Sequence, residues 1–132
     1  MIRRLALATI LSIAELHASG LEVYYTPFDA KTSGEICKKN IEKVSLVVLK
    51  VAGAFEADQI LNLIAPSVVQ VNMCALRLKI VFMGDVYYFD GLGRGIKNGK
   101  QLVMINRSEF EKNITCDSIC IKLNDESKLK TP

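Results

Sequence analysis

Apolar and charged residues alternate from Leu76 onward, and this pattern restricts the fold more than any other feature of the chain. Successive side chains of a strand point to opposite faces, so a period of two predicts a strand with one buried face. The charged side carries Arg77 and Lys79. The apolar side carries Leu76, Leu78, Ile80 and Phe82.

Gly84-Asp85 suits the two-residue turn of a β-hairpin, with Val86 to Asp90 as the returning strand. The length of this turn would set the register of the two strands. Aromatic and aliphatic side chains would then pair on one face, and opposite charges on the other. The expected pairs are Phe82 with Tyr87, Ile80 with Phe89, and Lys79 with Asp90.

The first twenty residues have the pattern of a secretory signal peptide. Arginines at positions 3 and 4 precede an uncharged apolar run over residues 5–14. Ala18 and Gly20 then occupy positions typical of cleavage before Leu21. The apolar run is about ten residues long, well short of the ~20 that span a bilayer. We therefore expect a periplasmic or extracellular protein without a membrane span.

Cleavage would remove His17, the only histidine of the chain. The remaining ~112 residues suit a single domain and would lack the commonest group for general acid–base catalysis. The net charge of +3 is too weak to argue for a nucleic-acid partner. We therefore expect neither an enzyme nor a bound cofactor.

The cysteines predict a covalent framework, because an even number in a small exported domain is typical of disulfides. We expect two bridges, and the spacing leaves all three possible pairings open. A metal site is the alternative, since the last two cysteines have a plausible ligand spacing, but no histidine would remain to complete a mixed site. The four residues are Cys37, Cys74, Cys116 and Cys120.

A long first helix is predicted from about Thr32, which has capping-box spacing to Glu35, as far as Ala52. Apolar residues recur there at steps of four and three, which is typical of one helix face. The β-branched residues within 44–51 favour a strand instead, and we prefer the helix. The face in question carries Cys37, Ile41, Val44, Val48 and Val51.

A second helix is predicted over Glu56–Ile64, ending before Pro66. Ser108 and Glu111 have capping-box spacing, which predicts the start of a third helix that would run to about Ile114. Further strands are predicted over Leu21–Tyr25, Val68–Met73, Leu102–Ile105 and Ile119–Leu123.

Because the helices come early and the antiparallel strands late, the expected class is α+β. N-terminal helices would pack on a small antiparallel sheet of hairpins that two disulfides stabilise. The expected organisation is a cleaved signal over residues 1–20, one domain over 21–123 and a polar tail over 124–132.

The segment from Gly84 to Gly99 contains the run Tyr87-Tyr88-Phe89-Asp90 and resembles one copy of the aromatic hairpin repeats of choline- and glucan-binding wall proteins. This resemblance covers sixteen residues and implies carbohydrate binding. Those families stack many copies and use tryptophan to hold the ligand, whereas this chain has one copy and no tryptophan. Glycines 91, 93 and 95 lead into a turn rather than a helix, which predicts a hairpin connection and not a phosphate-binding loop.

The outward face of the predicted hairpin is the candidate binding surface. Apolar residues near its end need a cover, which either the first helix or a partner protein would supply. Together with the following basic loop, which includes Lys100, they would suit an anionic cleft in a partner. The candidate binding residues are Arg77, Lys79, Met83, Val86, Tyr88, Arg94 and Lys97.

The leading hypothesis is a small exported binding protein that occupies a partner protein. An inhibitor, or an immunity protein against a toxin or cell-wall hydrolase, would act in this way. The second hypothesis is a secreted effector or toxin with carboxylate-based hydrolysis, for which Asp85 and Asp90 are the candidate groups. A wall carbohydrate-binding module is the third.

Overall fold

The computed structural model describes residues 20–114, and the main element of this part of the chain is one antiparallel sheet of seven strands. The order of the strands across the sheet is β2-β1-β4-β5-β6-β7-β3, so β2 and β3 lie at the edges. The strands are β1 (Leu21–Tyr25), β2 (Val47–Val51), β3 (Ile64–Pro66), β4 (Leu76–Phe82), β5 (Asp85–Asp90), β6 (Arg94–Lys97) and β7 (Gln101–Ile105). The helices of this part are α1 (Ile41–Val44), α2 (Ala54–Leu61) and α3 (Arg107–Asn113).

The predicted class, N-terminal helices packed on a small sheet, is therefore wrong. The sheet has seven strands, and the three short helices of the described part lie between strands or after them. Strands that follow one another in the chain pair as neighbours from β4 to β7, which gives a run of hairpins. The predicted signal peptide up to residue 19, the strand predicted over Ile119–Leu123 and the predicted polar tail lie outside the described residues.

The long first helix is the main error behind this prediction. Only Ile41–Val44 is helical, and the second half of the predicted segment is strand β2. β2 pairs antiparallel with β1, from Tyr25 opposite Val47 to Leu21 opposite Val51. The β-branched residues fit this pleated, paired backbone better than they fit a helix, so the spacing of three and four was coincidental.

The other predicted elements have mixed outcomes. The strands over Leu21–Tyr25 and Leu102–Ile105 are confirmed. The second helix ends at Leu61, earlier than predicted, because the chain enters the short edge strand β3 at Ile64. Val68–Met73 is not a strand. The third helix exists, but its N-cap is Asn106, whose side chain accepts a hydrogen bond from the Glu109 backbone N–H, and not Ser108.

The predicted hairpin exists as β4 and β5, but its turn is Met83-Gly84 and not Gly84-Asp85. Both turn residues have positive φ, 50° and 88°, the geometry of a tight turn that matches the twist of the strands. The register therefore differs from the predicted one by two residues, an even number, which leaves the side chains of residues 78–82 on their expected faces. The observed pairs include Ile80 with Tyr87, Lys79 with Tyr88, and Leu78 with Phe89.

One face of the sheet forms the main core. Helices α2 and α3 supply Ala57, Ile60 and Phe110 to it, all of them fully buried. The rings of Tyr25, Phe28 and Phe110 pack edge-to-face, with centroids 5.3–5.9 Å apart. The strands contribute the largest share, including Leu21, Val23, Leu49, Val51, Leu78, Ile80, Phe89, Val103 and Ile105.

A second, smaller apolar cluster lies on the other face. Tyr88 is buried there at 7% exposure, next to Ile36 and Ile41. Leu76 joins this cluster because β4 has a register irregularity between Leu76 and Leu78, so the predicted common face of these two leucines is wrong. Val71, Met73, Val86 and Ile96 pack around the cluster.

Two segments without long regular elements cover this second face, and we call them together the strap. The first is residues 36–44, which includes α1. The second is residues 67–75, which leads from edge strand β3 to central strand β4. A disulfide between Cys37 and Cys74 joins the two segments. The described part thus contains one bridge rather than the predicted two, and Cys116 and Cys120 lie outside it.

Gly95 lies in strand β6 opposite Phe89, rather than in a flexible connection. A Cβ at this position would lie 2.3 Å from the Phe89 ring, which belongs to the main core. The absence of a side chain at Gly95 therefore lets the ring lie flat against the neighbouring strand.

We expect Gly95→Ala to lower the free energy of unfolding by about 1–3 kcal/mol, because the added methyl group overpacks the core at Phe89. Chemical denaturation followed by circular dichroism measures the change. Gly34→Ala is the matched control: nothing lies within 4 Å of its Cβ position, so the change should stay within about 0.5 kcal/mol. Equal effects at the two glycines would contradict this account.

Candidate functional site

Two tight turns lie side by side at one end of the sheet, because β5 and β6 are paired neighbours. The first is Met83-Gly84, and the second is Asn98-Gly99, with φ of 54° and 71°. We call residues 83–86 and 97–100 together the tip. Met83 is exposed over 64% of its surface and is the largest apolar side chain there.

Asn98 joins the two turns. Its side-chain oxygen accepts a hydrogen bond from the Val86 backbone N–H at 2.8 Å, and its side-chain nitrogen donates to the Asp85 carboxylate at 2.9 Å. The Asn98 backbone N–H donates to the Val86 carbonyl at 2.8 Å. Three hydrogen bonds from one residue therefore hold the second turn against the first.

The charged side chains of the tip lie around Asp85, which also accepts the hydrogen bond from Asn98. The Lys97 ammonium lies 3.8 Å from the Asp85 carboxylate and 5.7 Å from the centroid of the Tyr87 ring. A cation over an aromatic face is attracted by the negative charge of the ring face. Lys97 is thus positioned by two partners, and the side chain of Lys100 is exposed.

The structure does not bring the candidate binding residues together on one surface. Met83, Val86 and Lys97 belong to the tip, whereas Tyr88 is buried beneath the strap. Arg77 lies at the other end of β4. Its guanidinium donates hydrogen bonds to the carbonyl of Leu76 at 2.9 Å and to that of Ala30 at 3.1 Å. Lys79 and Arg94 each form an ion pair with a carboxylate of the same fold, Lys79 with Glu42 and Arg94 with Asp90.

Lys79 occupies an aromatic site on the second face. Its ammonium lies 5.7 Å from the ring centroid of Tyr24 and 5.4 Å from that of Tyr88, and it forms an ion pair with Glu42 of α1. Burial lowers the pKa of Lys79, but the contacts with Glu42 and Tyr88 outweigh it, so the pKa lies above its ordinary value. The lysine therefore stays charged and attaches α1 to the sheet.

Asp90 has a structural role that differs from its predicted pairing with Lys79. Its side chain is 1% exposed and accepts four hydrogen bonds. Two come from Arg94, through its backbone N–H at 3.0 Å and its Nε at 2.8 Å. The others come from the backbone N–H groups of Leu92 and Asn72, each at 2.9 Å. This carboxylate joins the β5–β6 turn to the strap and has little capacity left for chemistry.

Sequence reasoning missed the roles of Asn98, Tyr24 and Glu42. The pair Asn98-Gly99 is a local turn signal, but the link to Val86 depends on two turns being neighbours. The roles of Tyr24 and Glu42 have no local signal, because they depend on β1 pairing with β4 and on α1 contacting Lys79.

The aromatic run that resembles a wall-binding repeat does not present its rings. Tyr87, Tyr88 and Phe89 are exposed over 8%, 7% and 0% of their surfaces. Tyr87 and Phe89 belong to the main core, and Tyr88 to the second cluster. A sugar would therefore find no open aromatic platform in this segment.

Glu35, Cys37 and Cys74 bring a carboxylate and two sulfurs within 4.8 Å of one another. The two sulfurs are bonded to each other, so this arrangement is a disulfide beside an acid and not a ready set of metal ligands. A cleft of about 440 Å³ lies next to it, between loop residues 30–36 and α1. The polar side chains of Thr32 and Asn40 in its wall already hydrogen bond within the loop.

No protein-family model matches the chain, and neither does any curated protein or solved structure. Among residues 20–114, the helices are too short and too polar to cross a membrane.

Tyr24 should ionise late in an alkaline titration. Burial, and then the hydrogen bond that its hydroxyl donates to Glu22 at 3.1 Å, raise the pKa of Tyr24 to about 12 from an ordinary 10. Since the folded state keeps the proton more tightly, this contribution to stability is complete below pH 10 and is lost as pH rises towards 12. Tyrosinate absorbance of the native chain and of Tyr24→Phe isolates the step, and ionisation of Tyr24 at pH 10 would contradict the assignment.

We expect Asp90→Asn to lower the free energy of unfolding by about 2–3 kcal/mol. The Asn side chain is nearly the same size, but it has no charge to pair with Arg94. Its NH2 group would also face N–H donors that now bind a carboxylate oxygen. Asp85→Asn is the control, because its partly exposed ion pair with Lys97 is worth under about 1 kcal/mol. Urea denaturation compares the two, and an Asp90→Asn chain of unchanged stability would contradict the structural role.

Proposed function

We propose that this chain is a small exported binding protein that acts by occupying a partner protein, as an inhibitor or an immunity protein does. The observation that carries the proposal is the tip, in which Asn98 joins two tight turns and leaves Met83 exposed. A surface that is already ordered before binding loses little conformational entropy on association. The first turn also extends from the two longest strands, β4 and β5, whose side chains contribute to the main core.

The chemistry of the tip suggests the kind of partner. Met83 is a flexible apolar side chain, which adapts to pockets of irregular shape. Lys97 and Lys100 belong to the adjoining turn of the same tip, and Asp85 is already engaged by Lys97 and Asn98. An apolar pocket bordered by acidic residues would complement this arrangement. The substrate cleft of a toxin or a cell-wall hydrolase is one such pocket.

The alternatives draw less support from the geometry. Hydrolysis by carboxylates relied on Asp85 and Asp90, but Asp90 is saturated with hydrogen bonds and Asp85 holds the two turns together. A carbohydrate-binding module relied on the aromatic run, whose rings are buried. Both functions would need groups that lie elsewhere in the chain.

A photo-crosslinking amino acid at position 83 tests the proposal in periplasmic or secreted fractions. Position 55 is the matched control, because Phe55 is exposed over 70% of its surface but lies on α2. We expect a discrete adduct at 83 and none at 55, and the purified chain should abolish the activity of the captured protein at a 1:1 ratio.

Substitutions then locate the contact. We expect Met83→Asp to weaken binding of the captured protein at least tenfold, because a carboxylate cannot enter an apolar pocket bordered by acids, and Phe55→Asp to leave it unchanged. Calorimetry or surface plasmon resonance measures both. Equal crosslinking at the two positions, or a captured protein whose activity is unaffected, would overturn the proposal.

A further inference from the structure

The strap is attached to the rest of the protein by few backbone hydrogen bonds. Its two segments meet at one parallel bridge, between Ile36 and Ala75, where the Leu76 N–H donates to the Ile36 carbonyl at 2.9 Å. Asn72 donates its backbone N–H to Asp90 at 2.9 Å. The covalent link between the segments is Cys37–Cys74, which closes a sequence separation of 37 residues. The disulfide therefore contributes much of what keeps the two segments together.

The surface under the strap is apolar and aromatic. Leu76 and Tyr88 of the sheet are buried there against Ile36 and Ile41 of the strap, and Val86 and Ile96 pack beside them. Two lysines lie over the Tyr88 ring: Lys79 of β4 at 5.4 Å from its centroid, and Lys38 of the strap at 5.9 Å. Movement of the strap would expose Tyr88 with the Lys79 ammonium over its ring and aliphatic side chains beside it.

The main core is built separately from the strap. Its helices, α2 and α3, cover the opposite face of the sheet, and its strands pair through continuous antiparallel ladders. No strap residue belongs to the buried set of the main core. The sheet can therefore keep its principal packing when the strap is released.

We propose that Cys37–Cys74 is a redox-sensitive fastener, whose reduction releases the strap and uncovers the Tyr88 face while the main core stays folded. Both cysteines are partly exposed, so a reductant can reach the sulfurs. A thiolate of a dithiol reductant attacks one sulfur and displaces the other as a thiolate, which forms a mixed disulfide. The second thiol of the reductant resolves it. Two electrons pass to the bridge, Cys37 and Cys74 become thiols, and the reductant becomes a disulfide.

This device does not depend on the proposed partner, because Met83 belongs neither to a strap segment nor to the second cluster. A failure of the redox proposal would leave capture through position 83 intact, and a failure of that capture would leave the strap to be tested separately.

Amide hydrogen exchange by mass spectrometry tests the proposal on the full chain, before and after treatment with dithiothreitol. Alkylation of Cys37 and Cys74 reports how far reduction has gone. We expect peptides covering residues 36–44 and 67–75 to exchange faster relative to those of β4 and β5, with the ratio rising at least tenfold on reduction. Binding of an apolar dye should rise at the same time, because Tyr88, Val86 and Ile96 become accessible.

Variants identify which cysteines act. Cys37→Ser with Cys74→Ser should reproduce the reduced pattern without reductant, and Cys116→Ser with Cys120→Ser should still respond to it. Three outcomes would overturn the proposal: a Cys37–Cys74 bridge that resists dithiothreitol under native conditions, an exchange ratio that does not change, or a strap and a main core that lose protection together.

Discussion

Burial of both faces of the central strands is the constraint on which the rest of this structure depends. Strand β5 shows it most directly, because Tyr87 and Phe89 are buried in the main core while Tyr88 between them is buried on the opposite face. One face is covered by helices α2 and α3, and the other by the strap. Polar side chains then fix the positions of turns and covering segments. Asp90 joins the strap to the β5–β6 turn, and Asn98 joins the two turns of the tip. Lys79 attaches α1 to the sheet.

The part of the fold that could be predicted is the part whose signal is local. Alternation over residues 76–82 identified β4, and it kept the side chains of residues 78–82 on their predicted faces although the turn was misplaced by one position. The error over residues 32–52 has a different cause. Ile41 and Val48 have helical spacing, yet they belong to different elements, and Val48 pairs with Tyr24 of β1. Pairing with a distant strand cannot be seen in a window of fifteen residues, and here it decided the structure.

The candidate site was predictable only in outline. Met83, Val86 and Lys97 lie near one end of the hairpins, as predicted. This part of the site could be predicted because turn residues next to basic residues are a local feature of the sequence. For Tyr88 the sequence left open a cover by the first helix or by a partner, with the helix preferred. The cover also includes residues 67–75, most of which were predicted to form a strand. The prediction of Arg94 as a binding residue missed its ion pair with Asp90, which the predicted register placed opposite Lys79.

Pro66 in edge strand β3 has a consequence for how copies of this protein behave at high concentration. Proline has no backbone N–H, so the outer margin of β3 cannot offer a complete series of donors to an incoming chain. β3 is also only three residues long. Sheet growth by recruitment of a neighbouring molecule is therefore blocked on this side, which protects a protein made mostly of strands against ordered aggregation.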